Sequence, residues 1–415
     1  AEAFPDNSVL FCHNAQRHLE GHDSAPTAQQ AWNLRDQFKR NYRMLVLVTP
    51  PGAKMPSEVA GDIVNITEEL PGPDQLRGIV ERIHRSVNLD IPEGDAMHSA
   101  LAAVTGLTAF GAEQVTAMSV TAEGLDDEQL WERKYEEIDR CEGLTALRDR
   151  MGMSDLGGLE VIKRFLGLLL KGKDRPNCIV FIDEIEKMLA AGWGDSTGVS
   201  QDQLGTTLSW MQDQNAVGVL LVGHPGSGKS AVAKAAGRDA GVTTVQLDYG
   251  AMKGSLHGQS EQALRTALEV IRTISGGKTL WIATCNKLES LPPELRRRFK
   301  AGTFFFDLPT QDEREPIWAI HGEKYGVDTS EGSRPDCDGW TGAEIEQCCE
   351  LAYRLEVSIK DAAEFVVPIS VSASDAIENL RKQANNRWLS ASYPGTYQID
   401  KVEVATDGRA MSLDA

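Results

Sequence analysis

The chain has 415 residues, enough for about two to four domains, and its formal net charge of −19 repels polyanions and so disfavours sequence-independent binding of nucleic acid. The seven cysteines are odd in number and lack C-x-x-C spacing, which is typical of thiols in a reducing cytoplasm and argues against a zinc site. No apolar run is long enough to span a bilayer and no charged-then-apolar leader opens the chain, so we expect a soluble cytoplasmic protein that does not contact a membrane.

The first third of the chain, residues 1–145, repeats the plan of the later part in fainter form. A strand over 8–13 is predicted where the later part has a strand ending in two acids, but Cys12 and His13 take the places of those acids. The further segments that match in the same order are 44–49 with 279–284, 55–59 with 291–295, 70–71 with 308–309, and 106–108 with 339–341. We therefore predict a degenerate α/β module without a nucleotide site over 1–145, with an unrelated α/β domain as the alternative.

The later part opens on an apolar run over 178–182, which predicts a buried strand, and Asp183 and Glu184 follow it directly. Because open α/β sheets bind ligands at the carboxyl ends of their strands, both carboxylates are expected where a substrate binds. We predict that Asp183 holds Mg²⁺ through water and that Glu184 polarises the attacking water. The alternative is an ordinary exit from a strand into a loop.

About forty residues further on, a segment matches the phosphate-binding pattern G-x-x-x-x-G-K-[ST]. Its glycines free backbone N–H groups that cradle phosphate oxygens, its lysine reaches the outer phosphates, and its terminal hydroxyl ligates Mg²⁺. An apolar strand over 217–222 precedes it, and the N-terminus of a helix over 229–240 faces the anion. The predicted nucleotide-binding residues are Gly223, His224, Pro225, Gly226, Ser227, Gly228, Lys229 and Ser230. We therefore predict ATP and Mg²⁺ as cofactors, with Ser230 and Asp183 as the metal ligands.

Strands and helices alternate through this part, which predicts a parallel sheet covered on both faces. The other predicted elements are helices 199–212 and 260–274 and strands 243–247, 279–284 and 303–307. Two capping boxes, Thr310 with Glu313 and Thr341 with Glu344, begin the helices of a following lid. The predicted domains after 145 are a nucleotide-binding α/β domain over 146–310, an α-helical lid over 311–390 and a tail over 391–415.

Further segments form a pattern together with the two nucleotide motifs. They are Asp155-Leu156-Gly157-Gly158-Leu159, Ser260-Glu261 with Leu264-Arg265, Ala283-Thr284-Cys285-Asn286, Leu291-Pro292-Pro293-Glu294-Leu295 with Arg296 to Arg298, and Gly339-Trp340-Thr341-Gly342-Ala343-Glu344. This pattern resembles the AAA family of ATPases. With 1–145 as a degenerate AAA-like module, nearly the whole chain looks like the Ycf-type plastid and cyanobacterial AAA proteins and their relatives in bacteria and phages. The resemblance implies a P-loop NTPase fold of the AAA+ type.

The resemblance also implies roles for single residues. Asn286 is expected to be the sensor that orients the attacking water, although Asn at a strand end is also a common turn residue. Arg298, with Arg297 as the alternative, is expected to act as an arginine finger on a neighbouring subunit; the other interpretation is a solvated charge run. His321 matches a family histidine near the nucleotide, but a lone helical histidine is more often packed, so it is left out of the catalytic set.

The remaining implied contacts involve the nucleotide base and the lid. Gly342 and Ala343 are expected against the nucleotide from the lid, and Gly157 near the adenine. The departure from the family is the motif order, because the acidic strand comes before the phosphate loop instead of after the second strand. We expect a normal active site with rerouted loops, since parallel strands keep their places if the crossovers stay right-handed. The alternative is exchange of this strand with a neighbouring subunit through a hinge over 188–200.

The predicted function is Mg²⁺-dependent ATP hydrolysis by an oligomeric AAA+ ATPase that remodels or assembles a protein partner. A finger acting between subunits implies a ring or helical homo-oligomer, and we expect a hexamer. The segment 252–258, which would grip polypeptide in a pore, lacks an aromatic residue, although Met252 and Leu256 remain as apolar contacts. Two alternatives stay open: a slow nucleotide-controlled switch or scaffold, and a nucleic-acid motor or loader, against which the acidic charge argues.

Overall fold

The structure is a computed structural model that describes residues 4–19, 25–49, 55–66, 70–148, 151–190, 199–252, 259–287, 289 and 291–399. Its contacts divide the chain into two compact units, Ala1–Glu69 and Leu70–Ala415. The division therefore falls at 69/70, whereas the sequence suggests a boundary at 145/146. No helix among the described residues has the length and apolar character needed to cross a bilayer.

The first unit contains a two-stranded parallel sheet. Its strands are β1 (Val9–His13) and β2 (Met44–Val48), paired in register from Val9 with Met44 to His13 with Val48. Its helices are α1 (Gln16–Leu19), α2 (Ala25–Arg40) and α3 (Ser57–Ala60). The crossover through α2 gives the strand–helix–strand order that parallel pairing requires. The partly buried side chain of Cys12 packs against the small apolar core of this unit, so it contributes to packing.

The second unit begins with a helical bundle over residues 70–140. Its elements are α4 (Pro73–Ser86), α5 (Gly94–Val104), α6 (Ala109–Met118), the short hairpin β3 (Val120–Thr121) and β4 (Gly124–Leu125), and α7 (Asp127–Asp139). Buried apolar side chains such as Leu76, Val104 and Leu130 form its core. The bundle leads into the strand β5 (Leu144–Ala146), which belongs to the main sheet.

Among the described residues, the main sheet has seven strands in the order β11-β10-β7-β9-β6-β8-β5. The strands after β5 are β6 (Cys178–Ile182), β7 (Val217–Gly223), β8 (Thr243–Leu247), β9 (Thr279–Cys285), β10 (Gly302–Phe306) and β11 (Leu389–Ser390). All neighbours pair in parallel except β5 with β8. The five residues of β6 are fully buried, as a strand covered on both faces requires.

The acidic strand β6 lies in the interior of this sheet, with a strand on each side. It pairs with β9 on one side, from Cys178 with Thr279, and with β8 on the other, from Cys178 with Thr243. Its two neighbours, β8 and β9, both follow β7 in the sequence. In the sheet, β7 pairs with the other side of β9. The carboxyl ends of β6, β7 and β9 therefore meet at one edge of the sheet, although β6 comes first in the sequence.

Helices cover both faces of the sheet. They are α8 (Glu160–Lys171), α9 (Glu186–Ala190), α10 (Val199–Asp213), α11 (Lys229–Ala240), α12 (Gln259–Ser275) and α13 (Pro293–Arg296). Side chains of α8 and α11 fill one core layer, and side chains of α10 and α12 fill the other. The helical bundle also packs on α12, because a Cβ on Gly106 would lie 2.3 Å from the Cα of Ile274. Met252 is buried at 1% exposure, so it offers no contact to a pore, and residues 253–258 lie outside the described residues.

The remaining helices fall within the region 311–390 that the sequence predicts to be the lid. They are α14 (Gln311–Tyr325), α15 (Gly342–Leu355), α16 (Ile359–Ala363), α17 (Ile369–Ser372) and α18 (Ser374–Ala384). Both predicted capping boxes are confirmed at the starts of α14 and α15. After α18 the chain returns to the sheet as β11, and Asp307 receives hydrogen bonds from Arg381 and from the buried Tyr397.

Candidate nucleotide site

The predicted phosphate loop connects β7 to α11. Gly226 and Gly228 have φ angles of +78° and +87°, which favour glycine, and a Cβ on Gly226 would lie 2.9 Å from the hydroxyl of Thr341 in the lid. Gly228 is the N-cap of α11, a helix of 12 residues. The backbone therefore has the compact, left-handed turns of an anion cradle at a helix N-terminus.

Lys229 is held inside this loop. Its side chain is only 5% exposed, and its Nζ donates to the carbonyl oxygens of Gly223 at 2.9 Å and His224 at 2.5 Å. A third, longer bond of 3.3 Å goes to the hydroxyl of Ser227. Burial lowers the pKa of Lys229 to about 8, with the negative charge of Glu186 opposing that shift. A buried cation whose partners are neutral is suited to receive an anionic group.

The two predicted metal ligands touch each other. The Ser230 hydroxyl donates to Asp183 Oδ1 at 2.8 Å, and the Thr284 hydroxyl donates to the same oxygen at 2.6 Å. A carboxylate beside a hydroxyl at the start of a phosphate-binding helix is a hard-oxygen donor set of the kind that Mg²⁺ takes together with water and phosphate. The residues present therefore fit the cofactors that the sequence predicts.

Glu184 and Asn286 also meet. The Asn286 side-chain amide donates to Glu184 Oε1 at 3.0 Å, and the Asn286 backbone N–H donates to Glu186 Oε1 at 2.9 Å. Glu184 is further ion-paired with Lys187 and has a left-handed backbone with φ of +50°. The side chain of the predicted sensor, Asn286, thus lies within hydrogen-bonding distance of the carboxylate of Glu184, which is predicted to polarise the attacking water.

A cavity of about 870 Å³ opens over these groups, which is within the usual range for small-molecule sites. The predicted residues that line it are Asp183, Glu184, Pro225, Gly226, Ser227, Gly228, Lys229, Ser230, Asn286, Gly157, Gly342 and Ala343. The loop, the acidic strand, the sensor strand and the lid therefore converge on one space.

Comparison with known proteins agrees with this geometry. The model of the ATPase family associated with various cellular activities (AAA) matches residues 219–276, which run from β7 to the end of α12. The AAA domain-containing protein ycf46 of Guillardia theta is 23% identical over 85% of this chain and 74% of its own length. The chain therefore contains an AAA domain over residues 219–276. Its AAA domain is thus part of an ATPase family, and its resemblance to the Ycf-type proteins is confirmed.

Other relatives match shorter parts of the chain. The ycf46 protein of Pyropia yezoensis is 28% identical over 41% of this chain and 45% of its own length. The cell division control protein 48 homolog C of Arabidopsis thaliana is 24% identical over 39% of this chain and 24% of its own length. These matches cover less than half of each relative. They therefore support the presence of an AAA domain in this chain, and the activity of the whole protein is a matter for proposal.

Four predicted residues do not line the cavity of the AAA domain: Gly223, His224, Arg297 and Arg298. His224 is a buried residue of the loop, and the centre of its ring lies 6.4 Å from that of Phe305. Burial lowers the pKa of His224 to about 4, so its imidazole is neutral at pH 7. The Arg298 guanidinium donates to Gln212 of α10 at 2.7 Å. A role for either arginine in a neighbouring subunit stays a prediction.

Some residues that line the cavity were not in the predicted set, and His321 had been left out of it deliberately. His321, Lys324 and Glu346 line the cavity from α14 and α15, with Lys324 Nζ 2.5 Å from Glu346 Oε1. Burial lowers the pKa of His321. Only the family likeness of His321 signals this cluster, because the packing of two lid helices brings it together. Thr284 has a clearer signal, since its hydroxyl stands at the carboxyl end of a strand beside the sensor.

We expect nucleotide binding to the AAA domain to weaken as the pH rises through about 8, where Lys229 loses its proton. Phosphate groups favour the charged ammonium and raise its pKa in the complex, so the complex holds a proton that the free protein has lost. Affinity should be level below pH 8 and then fall by up to about tenfold per pH unit. Titration with a fluorescent ATP analogue between about pH 7.5 and 9.5, where the phosphates are already ionised, measures this. An affinity that stays level over that range contradicts it.

Proposed function

We propose that this protein is a Mg²⁺-dependent ATPase that works as a homo-oligomer on a protein partner. The observation that carries the proposal is the 2.8 Å hydrogen bond between Ser230 and Asp183, since it joins the phosphate loop to the acidic strand although the two motifs stand in reversed order in the chain. The groups proposed to bind the phosphates, the metal and the attacking water then lie at one cavity, and the arginine is proposed to come from a neighbouring subunit.

The residues divide the work as follows. Lys229 binds the outer phosphates, because its buried ammonium has only neutral partners in the loop. Ser230 and Asp183 hold Mg²⁺, which when bound neutralises the charge that develops on the phosphate oxygens. Glu184 accepts a proton from the attacking water, and Asn286 keeps that carboxylate in place through its 3.0 Å hydrogen bond.

The proposal includes a rearranged connectivity. The acidic strand β6, which corresponds to the Walker B motif, precedes the phosphate loop, which corresponds to the Walker A motif. This connectivity is supported by the position of β6 between β9 and β8 of its own chain, which the parallel pairing on both sides fixes. We propose that the strand completes the site of its own chain, and exchange with a neighbouring subunit stays the alternative. The hinge predicted for such an exchange, over 188–200, lies largely outside the described residues.

Self-assembly is the second part of the proposal. Arg298 and Arg297 follow α13 and do not line the cavity of their own chain, which supports action on a neighbouring subunit. A ring or helical assembly, for which we propose six subunits, supplies such a neighbour to every site. The protein client and the cytoplasmic location remain parts of this proposal, as does the degenerate first module without a nucleotide site.

Mixing two inactive variants tests both parts together. Arg298→Ala should lower turnover by about 10³-fold, as removal of an arginine finger does. Adding Lys229→Ala subunits, which keep their own Arg298, should restore part of the activity because each supplies its arginine to an intact neighbouring site. The measurement is phosphate release with Mg²⁺ across mixing ratios, with the wild type as reference.

The control for this mixture is Arg238→Ala, at the exposed C-terminal end of α11, which should turn over like the wild type. Failure of the mixture to recover activity, with both variants folded and assembled, counts against action between subunits. If the wild type assembles in response to nucleotide but hydrolyses almost none of it, the alternative function, a slow nucleotide-controlled switch or scaffold, would be favoured.

A further inference from the structure

One side chain links the two acids of the site to the neighbouring strand. Thr284, at the end of β9, is 1% exposed. Its hydroxyl donates to Asp183 Oδ1 at 2.6 Å and accepts the backbone N–H of Glu184 at 2.8 Å. A single hydroxyl therefore holds both the side chain of one acid and the backbone of the next.

Only a hydroxyl can make this pair of bonds at once. It has one proton to donate and two lone pairs to accept with, so donation to Asp183 leaves room for the N–H of Glu184. Serine has the same capacity. Valine has nearly the same shape but no polar group, and it would leave the Glu184 N–H without this acceptor and Asp183 with one donor fewer.

The bond to the backbone matters because Glu184 is strained. Its φ of +50° lies in the left-handed region, which a residue with a Cβ adopts at an energetic cost. Such a conformation persists only where the surroundings fix it. Here the Thr284 hydroxyl accepts from Glu184 N–H, and the Thr284 carbonyl accepts from Ile185 N–H at 3.0 Å. Both bonds clamp the turn that directs the Glu184 carboxylate toward Asn286.

We propose that Thr284 is a positioning residue for the hydrolytic step: it fixes the left-handed turn at Glu184 and the orientation of the Asp183 carboxylate. This inference rests on the proposed ATPase function. Thr284 lines the cavity, yet its hydroxyl is occupied by Asp183 and Glu184, so it acts through these two residues.

The test compares three variants with the wild type. Thr284→Val removes both bonds, and Thr284→Ser keeps them. Thr243→Val is the matched control, because Thr243 is equally buried on the adjacent part of the sheet and its hydroxyl has no hydrogen-bond partner within the described structure. Two measurements are made on each: steady-state ATP turnover with nucleotide affinity, and hydrogen exchange of the Glu184 amide without nucleotide.

We expect kcat of Thr284→Val to fall by about tenfold to a hundredfold, since a misplaced catalytic group has this effect, while KM changes by less than about twofold because the phosphate loop is intact. Exchange of the Glu184 amide should accelerate at least about tenfold. Thr284→Ser should restore both values, and Thr243→Val should match the wild type.

The two measurements separate the possible failures. Absence of wild-type turnover defeats the proposed function, and the exchange result then decides by itself whether Thr284 fixes the turn. Normal kcat or normal Glu184 exchange in a folded Thr284→Val protein overturns the positioning role. An equal loss in Thr243→Val also overturns it, since the effect would then come from any lost hydroxyl in the sheet.

Discussion

Lys229→Ala is expected to weaken ATP binding by roughly 10²–10³-fold, so that saturation is not reached at millimolar nucleotide. The side chain of Lys229 is only 5% exposed, and its ammonium donates to carbonyl oxygens of the loop. When ATP binds, the ammonium is expected to exchange these carbonyls for phosphate oxygens. Alanine has no cation to offer, so the phosphates lose that interaction. Alanine also keeps α11 intact, because it is a strong helix former. Equilibrium binding of a fluorescent ATP analogue measures the effect.

The control for this variant is Lys171→Ala, at the exposed C-terminal end of α8. It should bind nucleotide as the wild type does. Thermal unfolding should show that Lys229→Ala remains folded, because burial already disfavours the charged lysine in the free protein. If a folded Lys229→Ala protein bound ATP with unchanged affinity, the assignment of the phosphate loop would be wrong.

Glu184→Gln is expected to bind ATP with near wild-type affinity and to hydrolyse it about 10²–10⁴-fold more slowly. The glutamine oxygen can still accept the Asn286 amide, as Glu184 Oε1 does at 3.0 Å, so the local structure is kept. What is lost is the basic carboxylate that takes the proton of the attacking water. Single-turnover phosphate release gives the rate, and the nucleotide retained on the protein gives the binding.

Glu160→Gln serves as the matched control, since that side chain is 78% exposed in the first turn of α8 and lies outside the cavity. Its turnover should equal that of the wild type. Near-normal hydrolysis by Glu184→Gln would show that another group orients the water, and the half-buried Glu186 beside Asn286 would be the first to examine.

The phosphate loop and the acid pair could be predicted because each is a local pattern with its own chemistry. The glycines, Lys229 and Ser230 lie within one segment, and the apolar run before Asp183 marks a buried strand without reference to the rest of the chain. The capping boxes of the lid are local in the same way, and both are present. Bringing Asp183 to Ser230 further required only that parallel strands keep their places in the sheet.

Other features depend on packing between distant segments and carry no local signal. The bundle over 70–140 belongs to the same compact unit as the sheet, because β5 pairs with β8 and Gly106 lies against α12. The sequence around Gly106 contains no pattern that would predict its contact with Ile274. The bonds of Thr284 likewise join residues about a hundred positions apart, so only the fold brings the donor to its acceptors.

The central place of β6 has a consequence for biosynthesis. The strand is made roughly a hundred residues before β9, which at about 5 to 20 residues per second means a wait of about 5 to 20 s during which the edge of β6 that pairs with β9 has no permanent partner. Such an edge is a template for wrong pairing. Shielding this edge of the nascent chain until β9 emerges is therefore expected to favour the correct insertion of β6 between β8 and β9.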